Sequence, residues 1–322
     1  MDKGTSRRKV SVLIPCHNEA ENLERLFAAL RSLIEQEKDY DWEVLLVDDG
    51  STDGTLVGLK TLRERDCRFA WISLSRNFGK EAAMLAGFDN VTGDCMVIMD
   101  ADLQHPVSAI PDMLRLWEQG YDDVYGKRIT RGKESFFRHH LSMAYYKLLQ
   151  KVAKIDILPN VGDFRLLDRK CIDALRQLRE TQRYTKGLYN WIGFKKKEVT
   201  FEQGDRTSGH SSFTYRKLFG LAVNGITSYT TTPLQISSIA GIIVSLVAFI
   251  YMLYVLVKTI IIGEPVHGFP TLVILILFLG GVQLISLGII GEYLGQVFHE
   301  EKKRPVYIIG AEDGIGDEKK QN

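Results

Sequence analysis

Residues 95–106 read Cys-Met-Val-Ile-Met-Asp-Ala-Asp-Leu-Gln-His-Pro. The apolar run from Cys95 to Met99 has the length of a buried strand and ends in two carboxylates, Asp100 and Asp102. In α/β folds ligands bind outside the carboxyl ends of the strands, so this pair marks a site. Carboxylates so close raise each other's pKa. A hard divalent ion, Mg²⁺ or Mn²⁺, relieves that conflict and commonly holds substrate phosphates. An acidic cap before Pro106 and a helix from Val107 account for the pair equally well.

Upstream, strand and helix signals alternate. Val10 to Ile14 is β-rich, and Glu19 to Glu37 carries a helical stripe of Leu23, Leu26, Phe27, Leu30, Leu33 and Ile34. Val44 to Val47 is a second strand, closed by Asp48-Asp49-Gly50-Ser51. A helix over Thr55 to Arg65, a strand over Phe69 to Leu74, a helix over Lys80 to Val91 and a strand over Met96 to Met99 follow. This order predicts an α/β fold with a mostly parallel sheet and helices on both faces. Downstream, Asp123 to Tyr125, Gly162 to Leu167 and Lys196 to Gln203 read as further strands. Ser135 to Lys154 and Phe213 to Tyr229 read as helices suited either to a membrane surface or to packing on the sheet.

Hydrophobicity is unevenly distributed. Leu234 to Val257 and Pro265 to Gly291 carry no charge, and each is long enough to cross a hydrocarbon core of about 30 Å. They predict a two-helix transmembrane hairpin. Arg216 and Lys217 precede it and Lys302, Lys303 and Arg304 follow it, which places both termini in the cytoplasm. The chain divides into a cytosolic domain over 1–212, a juxtamembrane interfacial helix over 213–232, two transmembrane helices over 233–298 and a cytoplasmic tail over 299–322, polar and disordered beyond Gly310. Val10 to Pro15 is strand-sized, too short for a signal peptide. A net charge of +1 gives no field for nucleic acid, and four scattered cysteines show neither metal nor disulfide spacing.

Four polar clusters close the first four strands: Ile14-Pro15-Cys16-His17-Asn18-Glu19, Val47 to Thr55, Arg76-Asn77-Phe78-Gly79-Lys80 and Asp100 to Pro106. Each alone is good turn chemistry. In this order they resemble the family 2 glycosyltransferases of the GT-A (Rossmann-like) fold, and with the two apolar spans the chain resembles the polyprenyl-phosphate glycosyltransferases. That group includes the bactoprenol glucosyltransferases and dolichol-phosphate mannose synthase. The resemblance covers roughly residues 8–305.

The resemblance implies roles residue by residue. Pro15, His17 and Glu19 match the loop that wraps the nucleotide, Asp49 the carboxylate that reads base or ribose, and Asn77 and Lys80 belong to the third donor cluster. Asp102 and Gln104 match the metal-holding pair, with Asp100 and Ala101 beside them. Arg128 matches the arginine facing the phosphates and is expected to be shared between donor and acceptor phosphates, Arg138 and Ser142 match an acceptor-phosphate pair, and Arg206 a loop near the donor. Asp163 is expected to orient Arg165 or the sugar, or to act as a base.

The implied reaction is inverting transfer of a sugar, with UDP-glucose the leading donor, to undecaprenyl or another polyprenyl phosphate in the cell membrane. A metal (Mg²⁺ or Mn²⁺) is implied; GDP-mannose and UDP-N-acetylhexosamine donors, dolichol phosphate as acceptor and a homo-oligomer stay open. Two rivals are weighed. A processive polysaccharide synthase would carry Gln-x-x-Arg-Trp, which Gln182-Arg183-Tyr184 does not fit. A non-catalytic nucleotide-binding scaffold would not need Asp49, Asp100, Asp102, Gln104 and Arg128 together.

Overall fold

The computed structural model describes residues 7–129, 161–181, 183–201, 232–262 and 268–315. β1 (Arg8–Cys16), β2 (Tyr40–Asp48), β3 (Phe69–Leu74) and β4 (Cys95–Ile98) are joined by α1 (Leu23–Gln36), α2 (Thr55–Arg65) and α3 (Lys80–Asn90). The α1 stripe is buried as its spacing predicts. The near-continuous apolar runs of β1, β2 and β4 are buried on both faces, as parallel central strands demand. β1 pairs in parallel with β2 and with β4, and β2 with β3, giving the local order β3-β2-β1-β4. The order reverses beside β1, so the loops after β1 and β4 open a crevice at their carboxyl ends.

Beyond β4 the sheet is mixed. After α4 (Ile110–Glu118) come β5 (Asp123–Arg128), β6 (Val161–Asp168), α5 (Arg169–Gln177), α6 (Thr185–Trp191) and β7 (Lys196–Phe201). β6 lies between β4 and β5 and is antiparallel to both, while β5 and β7 pair in parallel. β6 therefore enters the sheet with its amino end, Gly162 and Asp163, at the edge where β4 delivers Asp100. That reversal is what brings residues so distant in sequence to one site.

α7 (Thr232–Ile262) and α8 (Phe269–Glu301) form a second compact unit. At 33 residues α8 is about 50 Å long, ample for a bilayer. Its segment Phe278–Glu301 is long and apolar enough to cross a membrane, whereas the apolar segment of α7, Ser237–Tyr251, is shorter. Ile242, Leu246 and Ile250 on α7 and Leu284, Ile285 and Leu287 on α8 are exposed. One of the two expected spans thus meets the measure of a membrane crossing. The helices expected over 135–154 and 213–229 lie outside the described residues, with Arg138, Ser142 and Arg206.

The expectation of a disordered tail past Gly310 is corrected as far as Ile315; residues 316–322 lie outside the described residues. β8 (Ile309–Asp313) pairs antiparallel with β3, and among the described residues the sheet has eight strands in the order β7-β5-β6-β4-β1-β2-β3-β8. The Ser75 amide donates to the Ile308 carbonyl at 2.9 Å, and the Tyr307 hydroxyl donates to Asp89 Oδ2 at 2.7 Å. A mostly exposed strand with one large apolar residue, Ile309, suits a sheet edge whose outer groups face water, which explains why its composition reads as a tail.

Candidate active site

The crevice is a cleft of about 370 Å³. Its walls come from all four polar clusters: Pro15 near the end of β1, His17 and Glu19 after it, Asp49 after β2, Asn77 and Lys80 before and at the start of α3, and Asp100, Ala101 and Asp102 after β4. All nine were expected at a nucleotide-sugar site. The protein brings them together at the strand ends of one sheet.

The loops are laced by their own polar groups. Asn18 adopts a left-handed φ of 57°, donates its amide to Ser51 Oγ at 2.9 Å and accepts the Thr52 amide at 2.8 Å. Asp48 accepts from the Ser73 hydroxyl at 2.8 Å and from the Ser51 amide at 3.0 Å. His17 Nδ1 lies 2.9 Å from the Asp49 carbonyl, an acceptor, so Nδ1 carries the proton. Nε2 then accepts from Asn77 Nδ2 at 3.1 Å. The ring tautomer follows from this network.

Asp49 was expected to read a base or ribose. Its carboxylate accepts the Phe78 and Gly79 amides, at 2.7 and 2.8 Å, just before α3. A carboxylate there satisfies open amides and favours the helix dipole. In this arrangement Asp49 shapes the cleft wall. Gly50 makes the close approach feasible: its φ is +61°, and a Cβ would lie 2.3 Å from the Arg76 carbonyl carbon. Gly120 has a φ of +86° and open space around it, so it isolates backbone strain from collision. Both Gly50→Ala and Gly120→Ala should lower the melting temperature, each bearing roughly 1–3 kcal/mol of left-handed strain. Only Gly50→Ala should also weaken nucleotide binding; equal losses in melting and no loss of binding would show that the 76–79 contact does not shape the cleft.

At the cleft floor the Lys80 ammonium lies 2.6 Å from Asp100 Oδ1 and 2.9 Å from Asp163 Oδ2. Burial pulls Lys80 down, but Asp100 and Asp163 more than offset it and hold its pKa above the ordinary value. Burial pushes Asp163 up, and Lys80 wins, holding the carboxyl below the usual range. The expected partnership of Asp163 with Arg165 is corrected. Arg165 instead forks onto buried Asp123 at 3.0 and 3.2 Å and packs its guanidinium over the Tyr189 ring. Alternation along β6 gives the reason: Asp163 and Arg165 point to the same face, yet Arg165 is opposite Tyr125, next to Asp123 on β5.

Asp102 Oδ1 accepts the Gln104 amide at 3.1 Å across Leu103, whose φ is +57°. Glu19 is pushed up by burial and by the nearby Asp102 and Asp100 charges, against a donation from Asn22. That carboxylate crowding is what a divalent cation relieves, and the donors are the hard oxygens Mg²⁺ or Mn²⁺ prefers. No group of three metal-ligating His, Cys, Asp or Glu side chains occurs among the described residues. Gln104 is buried beside the turn. Arg128, at the end of β5, lies outside the cleft lining.

The sequence model for "Glycosyl transferase family 2" matches residues 11–176, from β1 through α5. The chain belongs to glycosyltransferase family 2. It is 43% identical over 300 residues to the CsbB protein of Bacillus subtilis (strain 168), covering 93% of this chain and 91% of that one. It is 39% identical over 301 residues to the prophage bactoprenol glucosyl transferase homolog of Escherichia coli (strain K12), covering 94% and 98%. Glucosyl-3-phosphoglycerate synthase from Mycobacterium tuberculosis, solved with Mn²⁺, UDP and glucosyl-3-phosphoglycerate, superposes with a TM-score of 0.47 at 16% identity, over 68% of this chain and 78% of that one. For this glycosyltransferase two site features went unread in sequence. The Lys80 bridge needed the β6 reversal, and His105, 2% exposed, looked like part of a Gln-His-Pro turn. Burial pulls its pKa down, against the Asp100 charge that pushes it up.

Proposed function

We propose that the enzyme transfers a sugar, with glucose from UDP-glucose the leading case, to undecaprenyl or another polyprenyl phosphate at the cytoplasmic face of the cell membrane. The observation that carries this reading is the four-cluster cleft with its Lys80-bridged carboxylates, in a chain that also holds a helix apolar enough to cross a membrane. Its similarity to a bactoprenol glucosyl transferase homolog supports the lipid acceptor. In this reading Asp102 and Gln104 hold Mg²⁺ or Mn²⁺ with Asp100 alongside, and the metal supplies charge stabilisation for the leaving diphosphate. Pro15, His17, Glu19, Asn77 and Arg206 position the donor. Arg128 faces the phosphates, and Arg138 and Ser142 take the acceptor phosphate. α7 and α8 anchor the enzyme, with both termini in the cytoplasm.

A phosphate oxygen of the acceptor attacks the anomeric carbon, the bond to the nucleoside diphosphate breaks on the opposite side, and the configuration inverts. A phosphate monoester has a second pKa of about 6, so at neutral pH the nucleophile is already ionised. A strong base is unnecessary, and Asp163, held acidic by Lys80, is a weak one. Its role is to fix Lys80 and, through it, Asp100. Catalysis is then positioning and electrostatics.

Membranes containing the enzyme, given radiolabelled UDP-glucose and undecaprenyl phosphate, should pass label into an organic-extractable lipid. EDTA should stop this, and Mg²⁺ or Mn²⁺ should restore it. Nucleotide binding with no lipid-extractable label from any nucleotide-sugar would instead favour a scaffold.

A further inference from the structure

Gly162 opens a small space at the start of β6. A Cβ placed on it would lie 3.8 Å from Arg128 Nη2 and 3.9 Å from both His105 Nε2 and the Phe164 backbone nitrogen. Around that point the walls are fixed. The His105 ring stacks on Phe164, with centroids 4.9 Å apart and planes 8° from parallel, and meets the Phe201 ring edge-on at 5.9 Å. The Asp100 amide approaches His105 Nδ1 at 3.5 Å. A backbone amide only donates, so Nδ1 accepts and the ring N–H is on Nε2. That buried Nε2–H has no hydrogen-bond partner among the described residues. A buried donor left unpaired is costly, and its pairing with an arriving ligand would remove the cost. Arg128 brings a guanidinium to the same space, so the arriving atom is an anionic oxygen.

We propose that Gly162 and His105 complete, beside the Arg128 already expected at the phosphates, a niche for a phosphate oxygen of the acceptor lipid, with His105 Nε2–H as a direct donor to it. The proposal rests on the lipid-phosphate transfer reading above. The niche lies outside the lining of the nucleotide cleft. It adjoins that cleft through Asp163, the next residue, whose carboxylate holds Lys80. This is the placement an attacking phosphate needs: beside the donor, with Arg128 shared between the two phosphates and His105 reserved for the acceptor. Glycine at position 162 is required because a side chain would occupy the space the oxygen takes.

Gly162→Ala is a clean probe. Its neighbours stand at ordinary contact distance, and Gly162 is not among the positive-φ glycines. His105→Phe keeps an aromatic ring against Phe164 and deletes the donor. Calorimetric titration of the full-length protein in detergent would compare farnesyl phosphate, farnesol and UDP. Both variants should weaken farnesyl phosphate roughly tenfold or more, with farnesol and UDP unchanged and the Gly162→Ala melting temperature intact. If His105→Phe is unstable, Gly162→Ala alone decides. A matching loss of UDP affinity would assign the niche to the donor diphosphate and overturn the proposal. Unchanged farnesyl phosphate binding would show that no anion enters. A wild-type protein that binds farnesyl phosphate no better than farnesol would instead overturn the lipid-phosphate reading itself.

Discussion

Asp102→Asn is expected to abolish sugar transfer while leaving the fold intact. Asparagine keeps an oxygen that accepts the Gln104 amide, so the turn through Leu103 survives. What disappears is one negative charge from the group formed with Asp100 and Glu19. A metal that stabilises developing charge contributes several kcal/mol, so turnover should fall about a thousandfold or more. The melting temperature should hold or rise, since Asp102 repels its neighbours when no metal is bound. Turnover measured across Mg²⁺ and Mn²⁺ concentrations checks this. Near-normal rates at saturating metal would remove Asp102 from the metal site.

The second large effect belongs to Lys80→Ala. It takes away the cation shared by Asp100 and Asp163 and leaves Asp163, 8% exposed, without its ion partner. An orphaned buried acceptor costs roughly 1–3 kcal/mol, toward the lower end here because Lys80 is partly exposed and screened. Transfer should fall sharply as Asp100 loses its fixed position. Adding Asp163→Asn should restore stability without restoring transfer. The pH dependence has a definite sign. In the wild type Asp163 sits below its ordinary value, so its contribution is present above about pH 4 and is lost as pH falls through the depressed value. Without Lys80, burial is opposed only by Lys186 and Arg165, so Asp163 titrates higher than in the wild type and its charge is less well accommodated near neutrality. The melting deficit of Lys80→Ala should therefore be full at pH 7 and shrink toward pH 4. A deficit equal at both values would show that lost packing, not the Asp163 charge, is responsible.

The first four strands were legible because each is a short apolar run bounded by turn residues, with α1 between the first two carrying a clean helical stripe. The cleft residues were legible for the same reason, since each polar cluster abuts a strand end. Their individual tasks were less so. Asp49 and Asp48 look alike in sequence, yet one holds the amides of Phe78 and Gly79 and the other holds Ser73. Which carboxylate meets which donor depends on loops packing across strands. Asp163 and Arg165 suggested a local pair, but β6 runs against β4 and β5, so their partners, Lys80 and Asp123, come from elsewhere in the chain. Strand direction leaves no periodic trace in a sequence. β8 was missed because an exposed edge strand need not be apolar.

β8 makes the catalytic unit discontinuous in sequence. A fragment ending at residue 212 would keep every cleft residue yet leave the outer edge of β3 bare, a row of unpaired amides and carbonyls open to other chains. Such a fragment is incomplete by one strand. A short peptide carrying residues 305–315 could supply that strand in trans, by the same main-chain pairing through which sheet edges capture extended peptides.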